Sequence, residues 1–246
     1  MGRKKGSKNK KTITTKELLI YLVIFIAIIS INYFLGKSDE SNENNIFGSS
    51  SYSNLVDVPE YSNEICVMIN DNKPYFTEED YTLSAFENYS ELDYLGRCGI
   101  AYANICKETL PPEGDERGDI SKVHPTGWKQ VKVNGEYLYN RCHLIAYSLS
   151  DEDANEKNLI TGTRYFNVSG MLPIEMLVLD YIKENKDNHV LYRVTPLFKG
   201  DNLLVTGVEM EGYSIEDNGK LSFNVFVYNV EPGATLNYET GELIDN

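Results

Sequence analysis

Two short stretches of the chain contain the residues best suited to chemistry. His143, one of only three histidines, lies in YNRCHLIAY (139–147), beside an asparagine, an arginine and a cysteine. The second stretch, TGTRYFN (161–167), ends in Asn167. A neutral imidazole can take a proton from water near pH 7, and an amide oxygen is a hard, neutral ligand suited to hydrated Mg²⁺. The alternative for His143 taken by itself is a buried structural histidine.

Arginines lie in both stretches. Arg141 precedes His143 by two residues, and Arg164 precedes Asn167 by three. A guanidinium group donates forked hydrogen bonds that match phosphate oxygens, and a divalent cation would stabilise the oxygen that leaves phosphorus. These groups suffice to hydrolyse a phosphodiester without paired carboxylates or a thiolate. A structural salt bridge is the alternative role for Arg164.

The elements that must position these residues predict an α+β domain. WKQVKVNGEYLYNRCHL (128–144) predicts a hairpin whose Asn-Gly pair forms a type I′ turn, so that His143 lies just beyond its second strand. GMLPIEMLVLDYIKEN (170–185) predicts a helix with a proline in its first turn, which places Asn167 just before the helix. The apolar residues that recur at helical spacing in this helix are Leu172, Met176, Leu179 and Ile182.

The remaining patterns predict a central antiparallel sheet. Residues 65–71, 189–198, 201–215 and 221–230 are typical of strands. Residues 78–96 predict a turn and a short helix, and PPEGDERGD (111–119) predicts a loop without a role in the site.

The segment NRCHLIAY…NLITGTRYFNVSGMLPIE resembles the DNA/RNA non-specific endonuclease family, the ββα-metal nucleases, and is most similar to its streptococcal branch of DNA-entry nucleases. The family's Asp-Arg-Gly-His motif aligns with residues 140–143, its metal-binding asparagine with Asn167, and its helical glutamate with Glu175. The resemblance extends over roughly residues 59–232. It implies a ββα-metal core with a central antiparallel sheet flanked by helices.

The resemblance also implies a role for each aligned residue. His143 would be the general base, and Asn167 the sole direct protein ligand of one Mg²⁺, for which Mn²⁺ could substitute. Arg141 and Arg164 would contact phosphate, and Glu175 would order water around the cation. The substrates would be DNA and RNA, without sequence specificity.

Two positions depart from the family's motif. Asn140 stands where the commonest motif has aspartate, and is retained as a substrate-binding residue. Cys142 stands where the motif has glycine, so a backbone geometry that only glycine tolerates is excluded there. The four cysteines of the chain permit either disulfides in an oxidising compartment or free buried thiols.

The N-terminal region predicts attachment to a membrane. Residues 1–17 carry seven Lys/Arg and one Glu, and residues 18–35 are an uncharged apolar run long enough to span a bilayer. The charge asymmetry predicts a cytoplasmic N-terminus, a single transmembrane helix, a flexible tether over 36–58 and an extracellular nuclease domain over 59–246. A cleaved signal peptide is the alternative, and later cleavage would release the domain.

The charge of the remaining chain opposes nucleic-acid binding. Residues 18–246 contain 23 − 7 = 16 basic and 37 − 1 = 36 acidic residues, a balance of −20. Such a surface repels a polyanion at long range, so activity requires a local positive cleft, with the carboxylates clustered elsewhere. A nuclease fold that is weakly active or inactive and serves as a surface binding module is the alternative function.

Overall fold

A seven-stranded sheet forms the centre of the structure, a computed structural model that describes residues 46–245. The strands are β1 (Ser51–Tyr52), β2 (Cys66–Ile69), β3 (Phe86–Tyr89), β4 (Ala101–Ile105), β5 (Lys132–Val133), β6 (Glu136–Tyr137), β7 (Tyr139–His143), β8 (Leu159–Thr163), β9 (Val190–Leu197), β10 (Gly207–Ser214), β11 (Ser222–Tyr228), β12 (Thr235–Leu236) and β13 (Leu243–Asp245). The helices are α1 (Tyr147–Ser150), a π-helix (Phe166–Met171) and α2 (Leu172–Glu184), with short 3₁₀ turns between elements.

The order of strands in the large sheet is β1-β2-β11-β10-β9-β4-β3. Every neighbouring pair is antiparallel except β1 and β2, which run parallel. The sheet is therefore mixed, whereas the sequence predicted a wholly antiparallel one. The three long strands predicted near the C-terminus are confirmed as β9, β10 and β11. The predicted Asn-Gly turn is present between β5 and β6, where Val133 pairs with Glu136 and Asn134 and Gly135 have φ of 51° and 88°, the left-handed values that a type I′ turn requires.

Helix α2 packs its apolar side on one face of the large sheet. Ile174, Val178 and Ile182 are buried in the main core together with sheet residues of alternate positions. Of the four apolar residues whose spacing predicted the helix, Leu179 and Ile182 are buried, whereas Leu172 and Met176 are 42% and 41% exposed. The helix carries apolar side chains around most of its circumference, so their spacing alone does not show which face is buried. Packing against the sheet determines the buried face.

The predicted short helix within residues 78–96 is wrong. The segment forms the edge strand β3, which pairs with β4 from Phe86 opposite Asn104 to Tyr89 opposite Ala101. Pairing with a neighbouring strand decided the conformation here, because strand formation depends on cross-strand contacts more than on local propensity.

The N-terminal part of the described chain packs on this core. Ile46 and Phe47 contact the main cluster, and the Phe47 ring stacks on Phe223 with 5.7 Å between centroids. Strand β1 adds to the edge of the sheet, so residues 46–58, part of the segment assigned from composition to a tether, belong to the same compact unit.

The predicted membrane location is contradicted. No helix within residues 46–245 is long and apolar enough to cross a bilayer. The predicted span, residues 18–35, and the basic segment before it lie outside the described residues. The four cysteines are all free and buried.

Candidate active site

Strands β7 and β8 form a two-stranded sheet. Strand β7 contains the predicted catalytic segment, and β8 leads into the π-helix that contains the predicted metal ligand. The strands are antiparallel, with Asn140 opposite Gly162 and His143 opposite Leu159. The chain then passes from β8 directly into the π-helix and α2, which completes a strand–strand–helix unit. His143 is thus the last residue of β7 and pairs with β8, whereas the sequence predicted it beyond the second strand of the 128–144 hairpin.

Close packing behind this sheet requires the glycine at position 162. A Cβ atom there would lie 2.4 Å from Cδ1 of Phe166 and 2.6 Å from Sγ of Cys142. Cys142, at the position of the motif's glycine, is fully buried and fills this space, and burial raises the pKa of its thiol. It is a packing residue in a reduced state.

His143 is held neutral in a fixed orientation. Its side chain is buried, and its Nε2 donates to the carbonyl oxygen of Asp153 at 2.7 Å. Because Nε2 carries the proton, Nδ1 is the basic nitrogen and accepts from Nη2 of Arg117 at 3.0 Å. The pKa of His143 is lowered to about 4, mainly by burial; the positive charge of Arg117 adds to this lowering, and the hydrogen bond to the Asp153 carbonyl opposes it. The imidazole is therefore an unprotonated base at neutral pH.

Arg117 is the site residue that the sequence prediction missed. It lies in DERGD, the loop that was predicted to have no role, yet it contacts His143 and lines the neighbouring cleft. Its charge also acts on Glu175, whose pKa it lowers against a larger rise from burial. No local pattern joins the two residues, since Arg117 and His143 are 26 residues apart.

Asn167 is presented by the π-helix. The N–H of Leu172 bonds to the carbonyl oxygen of Asn167, the i→i+5 pattern of this helix, and short π-helical segments of this kind are frequent at functional sites. The half-buried Asn167 side chain lines the cleft, and within residues 46–245 its amide has no hydrogen-bond partner. Its oxygen is available to a cation.

Glu175 lies behind the site on the first turn of α2. It is 7% exposed, and burial raises its pKa to about 8. Without a cation nearby, the carboxyl group is mostly protonated at neutral pH. A bound cation would favour its charged form.

The two arginines of the predicted motifs differ in position. Arg141 lines the cleft, and its guanidinium lies 4.0 Å above the ring centre of Trp128. It also donates from Nε to the Val123 carbonyl at 2.5 Å and from Nη2 to the Ser121 carbonyl at 2.8 Å. It therefore also anchors the loop before the hairpin. Arg164 is exposed directly after β8 and is not among the residues that line the cleft.

The cleft itself is open and has a volume of about 350 Å³. Its lining combines cationic, amide and aromatic side chains, namely Arg117, Trp128, Lys129, Gln130, Tyr137, Tyr139, Asn140, Arg141 and Asn167, together with Ile120. Among the described residues, no three His, Cys, Asp or Glu side chains are grouped to hold a metal ion. The amide oxygen of Asn167, which has no partner within residues 46–245, could bind a divalent cation that keeps most of its water.

The sequence model of a family described as DNA/RNA non-specific endonuclease matches residues 77–216, more than half of the chain. The chain belongs to this family. The segment that matches this nuclease family includes Arg117, His143 and Asn167, so the family predicted from NRCH and TRYFN is confirmed.

Similar proteins include streptococcal nucleases. A deoxyribonuclease from Streptococcus dysgalactiae subsp. equisimilis is 37% identical over 123 residues, which are 48% of this chain and 36% of that protein. The chain thus spans only about a third of that relative's length.

Two solved structures share the fold. NucA from Streptococcus agalactiae, solved with a magnesium ion, superposes with a TM-score of 0.63 and 28% identity, covering 72% of this chain and 86% of that one. Sda1 nuclease, solved with a zinc ion, gives a TM-score of 0.59 and 32% identity over 65% of this chain and 82% of that one. The nuclease fold predicted for this domain is confirmed, with a mixed rather than antiparallel sheet.

Proposed function

We propose that the protein is an endonuclease that hydrolyses phosphodiester bonds of DNA and RNA without sequence specificity and needs a divalent cation, with Mg²⁺ preferred and Mn²⁺ as a substitute. The observation that carries the proposal is the state of His143. One ring nitrogen is fixed on the Asp153 carbonyl, and the other is an unprotonated nitrogen that accepts from Arg117, a residue that lines the open cleft.

His143 would act as the general base. Nδ1 takes a proton from a water molecule, whose oxygen forms a bond to phosphorus as the bond from phosphorus to the 3′ oxygen breaks, leaving a 5′-phosphate. The hydrogen bond to Asp153 keeps Nδ1 as the basic nitrogen and supports the imidazolium that forms. A histidine that is neutral before this step is ready in nearly every molecule at pH 7.

Arg117 would exchange partners during binding. In the free protein its guanidinium donates to Nδ1 of His143 and so occupies the base. The phosphate of a substrate is a stronger acceptor than a neutral imidazole. On binding, Arg117 turns to the phosphate and leaves Nδ1 open to water. Arg117 therefore couples substrate binding to activation of the base.

Asn167 would hold the cation, and Glu175 would support its hydration shell from behind. When bound, the cation stabilises negative charge on the phosphate and on the leaving oxygen. The unpartnered amide of Asn167 and the buried carboxyl of Glu175 support these roles. Asn140 and Arg141 would contact the substrate from the cleft wall, and Arg164 would bind phosphate further along the strand.

A plasmid assay tests the proposal. The purified protein should convert supercoiled DNA to nicked and linear forms with Mg²⁺ and should stop when a chelator is added. His143→Gly should lose cleavage, and added imidazole should restore part of it if the ring acts as a base. Asn167→Ala should raise the Mg²⁺ concentration needed for activity, and Asn167→Asp should restore it in part.

Failure of the unsubstituted protein to cleave any nucleic acid at any Mg²⁺ or Mn²⁺ concentration would refute the proposal. Retained binding of a protein or cell-wall ligand in that case would favour the non-catalytic binding module instead.

A further inference from the structure

The hairpin beside the cleft has two chemically different faces. We call residues 128–137, which include β5 and β6, the cleft hairpin. Val131 and Val133 pack with Leu138 on a small apolar cluster beneath it. Lys132 pairs directly with Tyr137 across the strands and faces the other way, and Gln130 lies beside the Tyr137 hydroxyl at 3.5 Å. The apolar underside fixes the hairpin to the domain and presents the polar face to solvent and to the cleft.

Tyr137 is the aromatic ring of this face that a ligand can reach. It lines the cleft and is 50% exposed. Trp128 also lines the cleft, but Arg141 covers its ring at 4.0 Å and is itself tied to two loop carbonyls. Tyr139 is buried. The Lys132 ammonium lies above Tyr137, 4.6 Å from the ring centre, and such an exposed contact is weak.

Positive charge accompanies this ring. Lys129 lines the cleft next to Arg117 and Arg141, and Lys132 stands over Tyr137. This local concentration contrasts with the overall charge of −14. Aromatic rings interspersed with cations are the arrangement by which proteins bind single-stranded nucleic acid, since every base has a face that can stack and every nucleotide has a phosphate.

We propose that the cleft hairpin binds an unpaired nucleotide next to the scissile phosphate, with its base stacked on Tyr137 and its phosphate on Lys132. The base replaces the ammonium on the ring, and the ammonium turns to the phosphate. The inference rests on the proposed function and adds a substrate preference, namely single-stranded or locally unpaired nucleic acid over intact duplex.

The preference for single-stranded nucleic acid follows because the base must leave its own stack to reach Tyr137. In a duplex each base is already stacked between neighbours and paired, so its transfer to Tyr137 requires it to leave the stack at a cost of a few kcal/mol. An unpaired base pays much less. Duplex DNA can use the cations of the cleft but not the ring.

Binding can be measured apart from cleavage. The full chain with His143→Ala, in the presence of a chelator, is titrated against a fluorescent oligothymidylate and against a fluorescent DNA duplex, and anisotropy reports the dissociation constants. Tyr137→Ala in this background should weaken binding of the oligothymidylate by about 10-fold and leave duplex binding nearly unchanged. Lys132→Gln should weaken both and lower the salt dependence of each by about one charge.

Two matched variants serve as controls. Tyr137→Phe keeps the ring and should bind like the parent, whereas loss equal to that of Tyr137→Ala would assign the effect to the hydroxyl and overturn the stacking. Tyr94→Ala removes a tyrosine that is 81% exposed outside the cleft lining and should change nothing.

The outcomes separate this inference from the proposed function. Equal affinity of Tyr137→Ala and its parent for the oligothymidylate, or an equal loss on both nucleic acids, overturns the inference, even if the unsubstituted protein cleaves plasmid. Conversely, selective loss with no cleavage by the unsubstituted protein sustains the inference while the proposed function fails. Melting curves confirm that each variant is folded.

Discussion

The burial of His143 predicts that activity persists into acid. Its pKa lies at about 4 instead of the ordinary 6.5. At about pH 5, an ordinary imidazole would be only about 3% neutral, whereas one with a pKa of 4 would be about 90% neutral. We therefore expect kcat/KM at pH 5 to stay close to its value at pH 7, about 30-fold above what an ordinary histidine would permit.

The assay is the initial rate of oligonucleotide cleavage at substrate concentrations well below KM, at constant ionic strength and saturating Mg²⁺. Folding must be followed in parallel, because the same shift affects stability. The native pKa of His143 is below the unfolded one, so the unfolded chain binds more protons between pH 6.5 and 4. This group's contribution is fully present above pH 6.5 and declines by about 3 kcal/mol as pH falls through that window.

Titration of Glu175 could also change kcat/KM over this pH range, and so could imitate or mask the effect of His143. Burial raises its pKa to about 8, so its protonation falls in the measured range unless the cation keeps it charged. The profile is therefore repeated with Glu175→Gln, which cannot titrate. A fall in kcat/KM centred near pH 6.5 in both proteins, with folding intact, would refute the view that a desolvated His143 is the base.

Three further predictions concern what holds the site together. Asn158→Ala should lower stability by about 3 kcal/mol in calorimetry, because the buried Asn158 amide bonds both the N–H and the carbonyl of Ile145 at 2.9 Å, just after the catalytic strand; an unchanged melting temperature would contradict this. Gly162→Ala should cost about 1–3 kcal/mol, since the new methyl group would overlap the Phe166 ring, and a stable variant of full activity would show that the packing relaxes freely. A reducing agent should leave the melting temperature unchanged, because the four cysteines are free thiols; a drop of several degrees would reveal a disulfide.

The predicted site residues differ in how far the sequence could place them. His143 ends β7, and Asn167 lies in the π-helix that follows β8, close to the strand end and the helix start that local patterns predicted. The pairing of β7 with β8, which joins both residues to one strand–strand–helix unit, is not a local hairpin and was not predicted. Arg117 belongs to an irregular loop whose path depends on contacts with distant residues, including the bond from Gly118 N–H to the Asp153 side chain. The spacing of residues along the sequence does not reveal contacts between such distant segments.

The burial of the site is equally invisible in the sequence. The same residues YNRCH would suit an exposed hairpin, in which His143 would titrate near its ordinary pKa. The shift to about 4 arises because the side chain is enclosed between β8, the Arg117 loop and the Asp153 loop. The chemical role of a residue type can be predicted from a motif, whereas its protonation state is a property of packing.

The acidic surface and the cationic cleft are compatible because their charges act on a bound strand over different distances. At physiological salt, screening reduces the interaction between exposed charges beyond about 8 Å, so carboxylates far from the cleft act weakly on a bound strand. Arg117, Lys129 and Arg141 line the cleft itself, so their charges act on a phosphate at short range. The acidic body therefore slows the approach of a polyanion but subtracts little from the affinity of the bound state. An arrangement of this kind favours release of the cleaved product over retention, because a strand end that leaves the cleft meets repulsion instead of a second basic surface.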